Sequence, residues 1–228
     1  MKRLSIAIDG PAGAGKSSVS KILSARLGYA YLDTGAMYRA VTYAAQVRGI
    51  TAEEDIAKMA QEIRMEVRPG REGMHVVTDG EDVTAHLRTP EVSADVSRVS
   101  AIPAVRTALV ELQRKQAEKG GIVLDGRDIG TTVLPRADVK IFLTASVHTR
   151  AVRRFEEITK DHPEMDLPAV EKEIERRDRL DSTRAVSPLR QAEDAVLLDN
   201  GDLTLEGTAE KMIEICRNKF PGFDEEEA

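Results

Sequence analysis

The sequence is poor in the features that staple a fold, cross a membrane or repeat. Its 228 residues include a single cysteine, Cys216, so no intrachain disulfide can form, and one thiol fits a reducing compartment. No apolar run approaches the roughly 20 residues that a spanning helix needs. Met1-Lys2-Arg3 runs straight into a hydrophobic stretch that reads as the first strand, so no secretory leader is expected. Positive charge does not dominate: 33 lysines and arginines stand against 39 aspartates and glutamates, a formal net charge of −6. That balance argues against non-specific nucleic-acid binding, which relies on a basic surface. Internal repeats and low-complexity tracts are missing as well. The expectation is a cytoplasmic protein of one ordinary domain, with neither membrane nor nucleic acid as partner. Its 41% hydrophobic content suffices for a sizeable core with an insert.

Several chemistries are missing too. No Ser-His-Asp or Cys-His arrangement suggests covalent catalysis. His75 and His86 have no partner at metal-ligand spacing and read as structural or surface residues. Cys216 lies on an apolar helical stripe with Leu205, Ala209, Met212 and Ile213, so it reads as a buried thiol.

What is present begins at Gly10-Pro11-Ala12-Gly13-Ala14-Gly15-Lys16-Ser17, which fits G-x-x-x-x-G-K-[ST]. Leu4, Ile6, Ala7 and Ile8 read as a short buried strand leading into it. Val19, Ile22, Leu23 and Leu27 follow at helical spacing, and Gly28 closes that helix. Strand, glycine loop and helix N-terminus together make a nest of backbone N–H groups beside a positive helix end. Such a nest holds the phosphates of a nucleoside triphosphate. Gly10 to Ser17, with Ser18 beside them, would line it. Lys16 would reach the β- and γ-phosphates, and the Ser17 hydroxyl would hold Mg²⁺.

Downstream, a strand near Tyr29 to Leu32 leads into a helix with Met37, Val41, Ala44, Ala45 and Val47 on one stripe, capped near Asp33 or Thr34. Arg39 lies about one turn inside it, at a strand end where open α/β sheets bind substrates, or else it is an ordinary surface arginine. Thr51 to Gln61 reads as a polar helix. Ile63 to Arg68 and Met74 to Thr78 alternate as an antiparallel hairpin, which looks like an insert. Thr89-Pro90 opens a helix through Val92, Val96 and Val99, and Pro103 opens another. Arg106 sits in the first turn of the latter, where a cation opposes the helix dipole, and this suggests that it has a ligand.

Ile122-Val123-Leu124 is a second core strand, ending at Asp125-Gly126-Arg127-Asp128. An apolar strand closing on an acid is where enzymes with this loop place a carboxylate near Mg²⁺. Val139 to Leu143 and Ala195 to Asp199 read as third and fourth core strands. Arg150, Arg153 and Arg154 share a helix face after the capping Ser146, either a solvated basic face or a mobile lid. From Pro168, a stripe runs Val170, Ile174, Arg177, Asp181, Arg184. It turns from apolar to charged without changing direction. Such a stripe is either an internal salt-bridge cluster or the border of an anionic ligand. The tail from Pro221 to Ala228 is acidic and reads as frayed.

This supply of arginines exceeds what nucleotide hydrolysis needs, and planar, bidentate arginine suits a second phosphate-bearing molecule. An N-K-x-D guanine signature is missing, which disfavours a GTP switch. Kinases of other small acceptors and an acceptor-independent ATPase remain alternatives on these residues alone.

The stretches Ile8 to Ser17, Asp33-Thr34-Gly35-Ala36-Met37-Tyr38-Arg39, Asp125-Gly126-Arg127-Asp128-Ile129-Gly130-Thr131 and Arg184-Ala185-Val186-Ser187-Pro188-Leu189 closely resemble the bacterial cytidylate (CMP) kinases. The resemblance runs from the first strand to the last helix. It implies an α/β fold of the P-loop type, three-layered α/β/α with a mostly parallel sheet and a small antiparallel insert. It implies a core (1–32, 103–145 and 185–220), a monophosphate-binding region (33–102) and a lid (146–184) within one domain. The activity implied is transfer of the ATP γ-phosphate to CMP or dCMP with Mg²⁺, by a chain expected to be monomeric. Carried over, Arg39 and Arg127 would meet the acceptor phosphate, with Thr34 nearby. The family often has serine at that position, and the hydroxyl is kept. Ser97, Arg106 and Asp128 would read the base, Arg177 and Asp181 would hold the sugar, and Arg184 would lie close by. The catalytic set is then Lys16, Arg127, Asp125 and, from the lid, Arg154, with Arg150 and Arg153 as alternatives.

Overall fold

Four apolar stretches of the sequence, with a further strand at Ala30–Asp33, become neighbouring strands of one sheet. The computed structural model describes residues 3–70, 73–159, 165–220 and 223. Strand β1 (Ser5–Asp9) lies at the centre, with β6 (Ile122–Gly126) and β7 (Val139–Thr144) on either side. β2 (Ala30–Asp33) and β8 (Val196–Asp199) form the edges, in the order β2-β6-β1-β7-β8 with every pairing parallel. Ile6 and Ile8 face one layer, built with α1 (Lys16–Leu27) and α8 (Leu205–Lys219). Ala7 faces the other, built with α2 (Thr34–Val47), α3 (Glu53–Glu62), α4 (Pro90–Val99) and α5 (Pro103–Ala117). A strand covered on both faces needs a continuous apolar run, and β1 has one.

The expected helix starts hold because their caps are local. Asp33 accepts the Ala36 N–H, Thr89 accepts the Val92 N–H, and Ser146 accepts the Thr149 N–H at the start of α6 (Val147–Ile158). Gly28 closes α1 in the left-handed conformation. Asp166 caps α7 (Leu167–Thr183), with Pro168 in its first turn.

The insert is a separate antiparallel sheet of three strands, β3 (Met65–Gly70), β4 (Gly73–Thr78) and β5 (Glu81–Asp82). Two of these were expected; β5 is two exposed acids and carries no apolar alternation to reveal it. His75 pairs with Asp82 at 2.8 Å and His86 stacks on Tyr43, so both histidines are structural as read.

Three expectations change. Val47 is 68% exposed, because it ends the helix after the stripe has left the core. β8 is an edge strand with alternating exposure, and Leu197 on it is 56% exposed. Leu205 opens α8 at the rim of the central cavity, apart from the stripe of Ala209, Met212, Ile213 and buried Cys216. The expected fraying of the tail falls, except for Phe223, outside the described residues. Among the described residues, no helix is long and apolar enough to cross a membrane.

Candidate active site

The parallel sheet delivers the ends of β1, β2 and β6 to one edge, and a cavity of about 680 Å³ opens there. Its volume is in the usual range for small-molecule sites. One end is the glycine loop: Ala12 to Ser18 line it, with Arg153, Arg154 and Leu203 to Leu205 opposite. Gly10 and Pro11, expected to line it too, lie beneath. Gly10 packs against the Leu143 carbonyl, and the Pro11 carbonyl accepts the Lys16 ammonium at 2.7 Å.

Lys16 is 6% exposed. Burial, then the charge of Arg127, push its ammonium down to about 7, against the opposing pull of Asp125 and Asp181. Asp125 sits across from it. Its Oδ2 accepts the Ser17 hydroxyl at 3.0 Å, and its Oδ1 accepts the Tyr31 hydroxyl at 2.8 Å. Burial, and then Asp33, raise this carboxyl well above the ordinary range. Asp9, at the end of β1, accepts the Ile129 and Gly130 N–H groups, both at 2.7 Å, and so fixes the turn that follows β6. Burial raises the Asp9 carboxyl to about 6 in spite of those two bonds. The turn itself is a π-type helix, Ile129–Val133, a geometry that the glycine-containing sequence did not announce.

The other end holds the predicted acceptor residues together. Asp33, Thr34, Arg39, Ser97, Arg106 and the run from Asp125 to Asp128 line it, α7 contributes Arg177 and Asp181, and Arg184 follows at its C-cap. Thr34 donates its hydroxyl to the Asp125 carbonyl at 2.8 Å, tying α2 to β6. The α7 stripe does not form the internal cluster that was one of its two readings. Asp181 accepts from Arg127 Nε at 2.8 Å, and Arg184 donates to Asp128 Oδ1 at 3.2 Å and to the Ser187 carbonyl at 2.6 Å. Arg106 donates to the other Asp128 oxygen and to the Ser100 carbonyl, with Tyr38 stacked beneath its guanidinium.

The electrostatics of this end are unbalanced. Arg39 and Arg177 each keep a buried Nε–H with no partner among the described residues. Burial pushes Arg39 down to about 10, with Arg177, Arg88 and Arg127 adding to the push against the pull of Asp33. Burial and then Arg127 lower Arg177 as well. Crowded, desolvated guanidinium groups with unmade hydrogen bonds favour an anionic partner, whose charge and acceptor oxygens would offset those penalties.

The three α6 arginines separate. Arg150 is buried and bonded to the Ala12 and Ala145 carbonyls, so the solvated-face reading does not hold for it. Arg153 is spent on Asn200. Arg154 lines the cavity and, among the described residues, pairs with the more exposed Glu157 at 2.9 Å. Sequence reasoning passed over Tyr31, Tyr38, Asp178 and Asn200. The first two carried a signal, as polar aromatic residues beside motif positions; the others are visible only once α7 and the β8 end are placed.

Among the described residues no group of three or more His, Cys, Asp or Glu side chains could hold a metal alone. The Ser17 hydroxyl and Asp125 carboxylate do offer two adjacent hard oxygens. Mg²⁺ binds in this way, with few protein ligands and the rest from water and phosphate.

The family model described as cytidylate kinase matches residues 6–218. A cytidylate kinase of Ligilactobacillus salivarius (strain UCC118) is 49% identical over 221 residues, covering 96% of this chain and 99% of its own length. One from Bacillus subtilis (strain 168) is 49% identical over 220 residues, covering 96% and 98%. Among solved structures, an uncharacterized protein from Eubacterium ventriosum ATCC 27560 aligns over 95% of this chain and 99% of its own with a TM-score of 0.51. At 14% identity that is a likeness of fold alone. A family match over nearly the full length, together with relatives close to half identical, establishes that the chain belongs to the cytidylate kinase family.

Proposed function

We propose that the chain transfers the γ-phosphate of ATP to CMP or dCMP, giving ADP and CDP or dCDP. The observation that supports this most is one cavity with a phosphate loop at one end and under-compensated Arg39 and Arg177 at the other. The loop amides and Lys16 would hold the donor. Arg39 and Arg127 would hold the acceptor phosphate with Thr34 nearby, and Arg177 and Asp181 the sugar, with Arg184 beside them. Arg106, Asp128 and Ser97 would read the base: a carboxylate accepts from the cytosine amino group, and a guanidinium donates to its ring acceptors.

An acceptor phosphate oxygen is already nucleophilic, so direct in-line transfer needs positioning and charge stabilisation and no strong base. Lys16 and Arg127 would act on the transferring phosphoryl group, and Arg154, which lines the cavity, would join them from α6. Mg²⁺, held by Ser17 and Asp125, would supply charge neutralisation on the donor phosphates. The core, the monophosphate-binding region (33–102) and the lid (146–184) are read as parts of one cytoplasmic, monomeric enzyme.

An ADP-release assay across CMP, dCMP, UMP, AMP and no acceptor tests the reading. Turnover with CMP and dCMP well above the others is expected; ADP release at one rate with and without acceptor overturns it.

A further inference from the structure

The α6 and α7 helices do more than border the cavity. Ala12, in the middle of the glycine loop, is buried, and both polar groups of its backbone are taken by side chains of these helices. Its N–H donates to Asp178 Oδ1 at 3.2 Å, and its carbonyl accepts from Arg150 Nη1 at 2.8 Å. Arg150 Nη1 also donates to Asp178 Oδ2 at 2.7 Å, and its Nε donates to the Ala145 carbonyl at 2.9 Å. The Arg150 side chain is 5% exposed and that of Asp178 20%. The fit is close: a Cβ on Gly13 would lie 3.1 Å from Arg150 Cβ and 3.4 Å from Ile174 Cδ1. A second tie runs from Arg153 through Asn200 to the Ala14 carbonyl, at 3.0 and 3.1 Å.

Asp178 follows Arg177, whose Nε–H is unpartnered at the anion end, and precedes Asp181 by one helical turn. Asp181 holds Arg127 at 2.8 Å. One rigid helix therefore touches the donor loop through Asp178 and the acceptor cations through its neighbours.

We propose that Arg150 and Asp178 are positioning residues that set the glycine loop through Ala12 and, by way of α7, make donor affinity depend on acceptor occupancy. The proposal rests on the two-substrate reading above. A ligand that orders α7 against the β6 turn also orders Asp178 against Ala12, so the second ligand meets a loop already in place. Neither side chain is assigned a contact with substrate.

Titration calorimetry on the full chain tests this, with a non-hydrolysable β,γ-imido ATP analogue added in the presence and absence of saturating CMP. In the unmodified chain CMP should tighten analogue binding on the order of tenfold. Asp178→Asn, nearly the same shape but uncharged, should bring that factor below about twofold while CMP binding alone changes by less than about threefold. Arg150→Gln attacks the same clamp from α6 and keeps the test decisive if Asp178→Asn does not fold. The double variant should be no worse than either single, because both act through one residue, Ala12. A merely structural role lowers the melting temperature and leaves the coupling factor intact, and that result overturns the proposal. An unmodified chain that binds both ligands independently also overturns it. A chain that binds the analogue but not CMP overturns the two-substrate reading, and this inference with it.

Discussion

Arg127 Nε donates to Asp181 Oδ2 at 2.8 Å, joining the turn after β6 to the middle of the cavity-facing stripe of α7. Burial acts to raise the Asp181 carboxyl, yet the charge and hydrogen bond of Arg127 hold it below the ordinary carboxylate range. Arg127 is thus fixed in place by an α7 side chain while its charge still reaches Lys16 of the glycine loop.

Truncating Arg127 should therefore damage acceptor use first. Arg127→Ala is expected to lower kcat/KM for CMP by about 10² or more, the scale of losing a preorganised charge partner. KM for ATP should move only a few-fold. Steady-state kinetics with each substrate varied, plus calorimetry for each ligand alone, check this. ATP affinity lost with CMP affinity intact would mean that Arg127 serves the donor.

Lys16 makes a prediction that ties affinity to pH. Its ammonium is pushed down to about 7 by burial and by Arg127. A triphosphate beside it would restore the ordinary, higher value, so the complex carries more protons than the free chain above pH 7. Donor affinity should then fall as pH rises past 7, and binding at about pH 8 should take up close to one proton. Calorimetry of ATP in buffers of different ionisation enthalpy reads the uptake directly. Lys16→Ala should abolish the uptake and cut kcat by about 10² or more. An equal uptake in wild type and variant would assign the proton elsewhere.

The sheet, the caps and the glycine loop were legible because each depends on residues close in sequence: the apolar run of β1, Asp33 and Ser146 before their helices, Gly28 after α1. The candidate site was legible where a charge broke a local rule, as with Arg106 in a first helical turn and the charged end of the α7 stripe. Which charges pair was not. Pairing along the helix among Arg177, Asp181 and Arg184 was one of the two readings open, but Asp181 and Arg184 reach across to Arg127 and Asp128, at sequence separations of 54 and 56. Helical spacing says what shares a face, and only tertiary placement says what faces it. Arg150, Arg153 and Arg154 show the same limit, since one stripe serves three different partners.

Two glycine substitutions should separate backbone freedom from space. Gly10 has φ +152°, and a Cβ there would lie 2.0 Å from the Leu143 carbonyl oxygen, a backbone atom of a core strand. Gly49 has φ +66° with nothing within 4 Å. Gly49→Ala carries only the left-handed penalty, roughly 1 kcal/mol. Gly10→Ala must also move β7 or the loop, so a loss above about 3 kcal/mol is expected. Urea unfolding of both variants checks the contrast, and equal losses would show that strain, not space, governs both positions.

Arg106 and Asp128 form an ion pair with side chains 3% and 6% exposed, and Arg184 takes the second Asp128 oxygen. Breaking a buried pair leaves a charge without compensation, so Asp128→Asn should lower stability by about 3 kcal/mol. Its effect on selectivity is separable from that loss. A carboxylate only accepts hydrogen bonds, which suits an amino group and rejects a carbonyl, whereas an asparagine amide can present either its oxygen or its nitrogen. Asp128→Asn should thus lower kcat/KM for CMP much more than for UMP, narrowing the ratio by about tenfold or more. Arg106→Met, which leaves the carboxylate in place, should lower both without exchanging their order. If the CMP-to-UMP ratio is unchanged in Asp128→Asn while both rates fall together, the pair is scaffolding and the base is read elsewhere in the cavity.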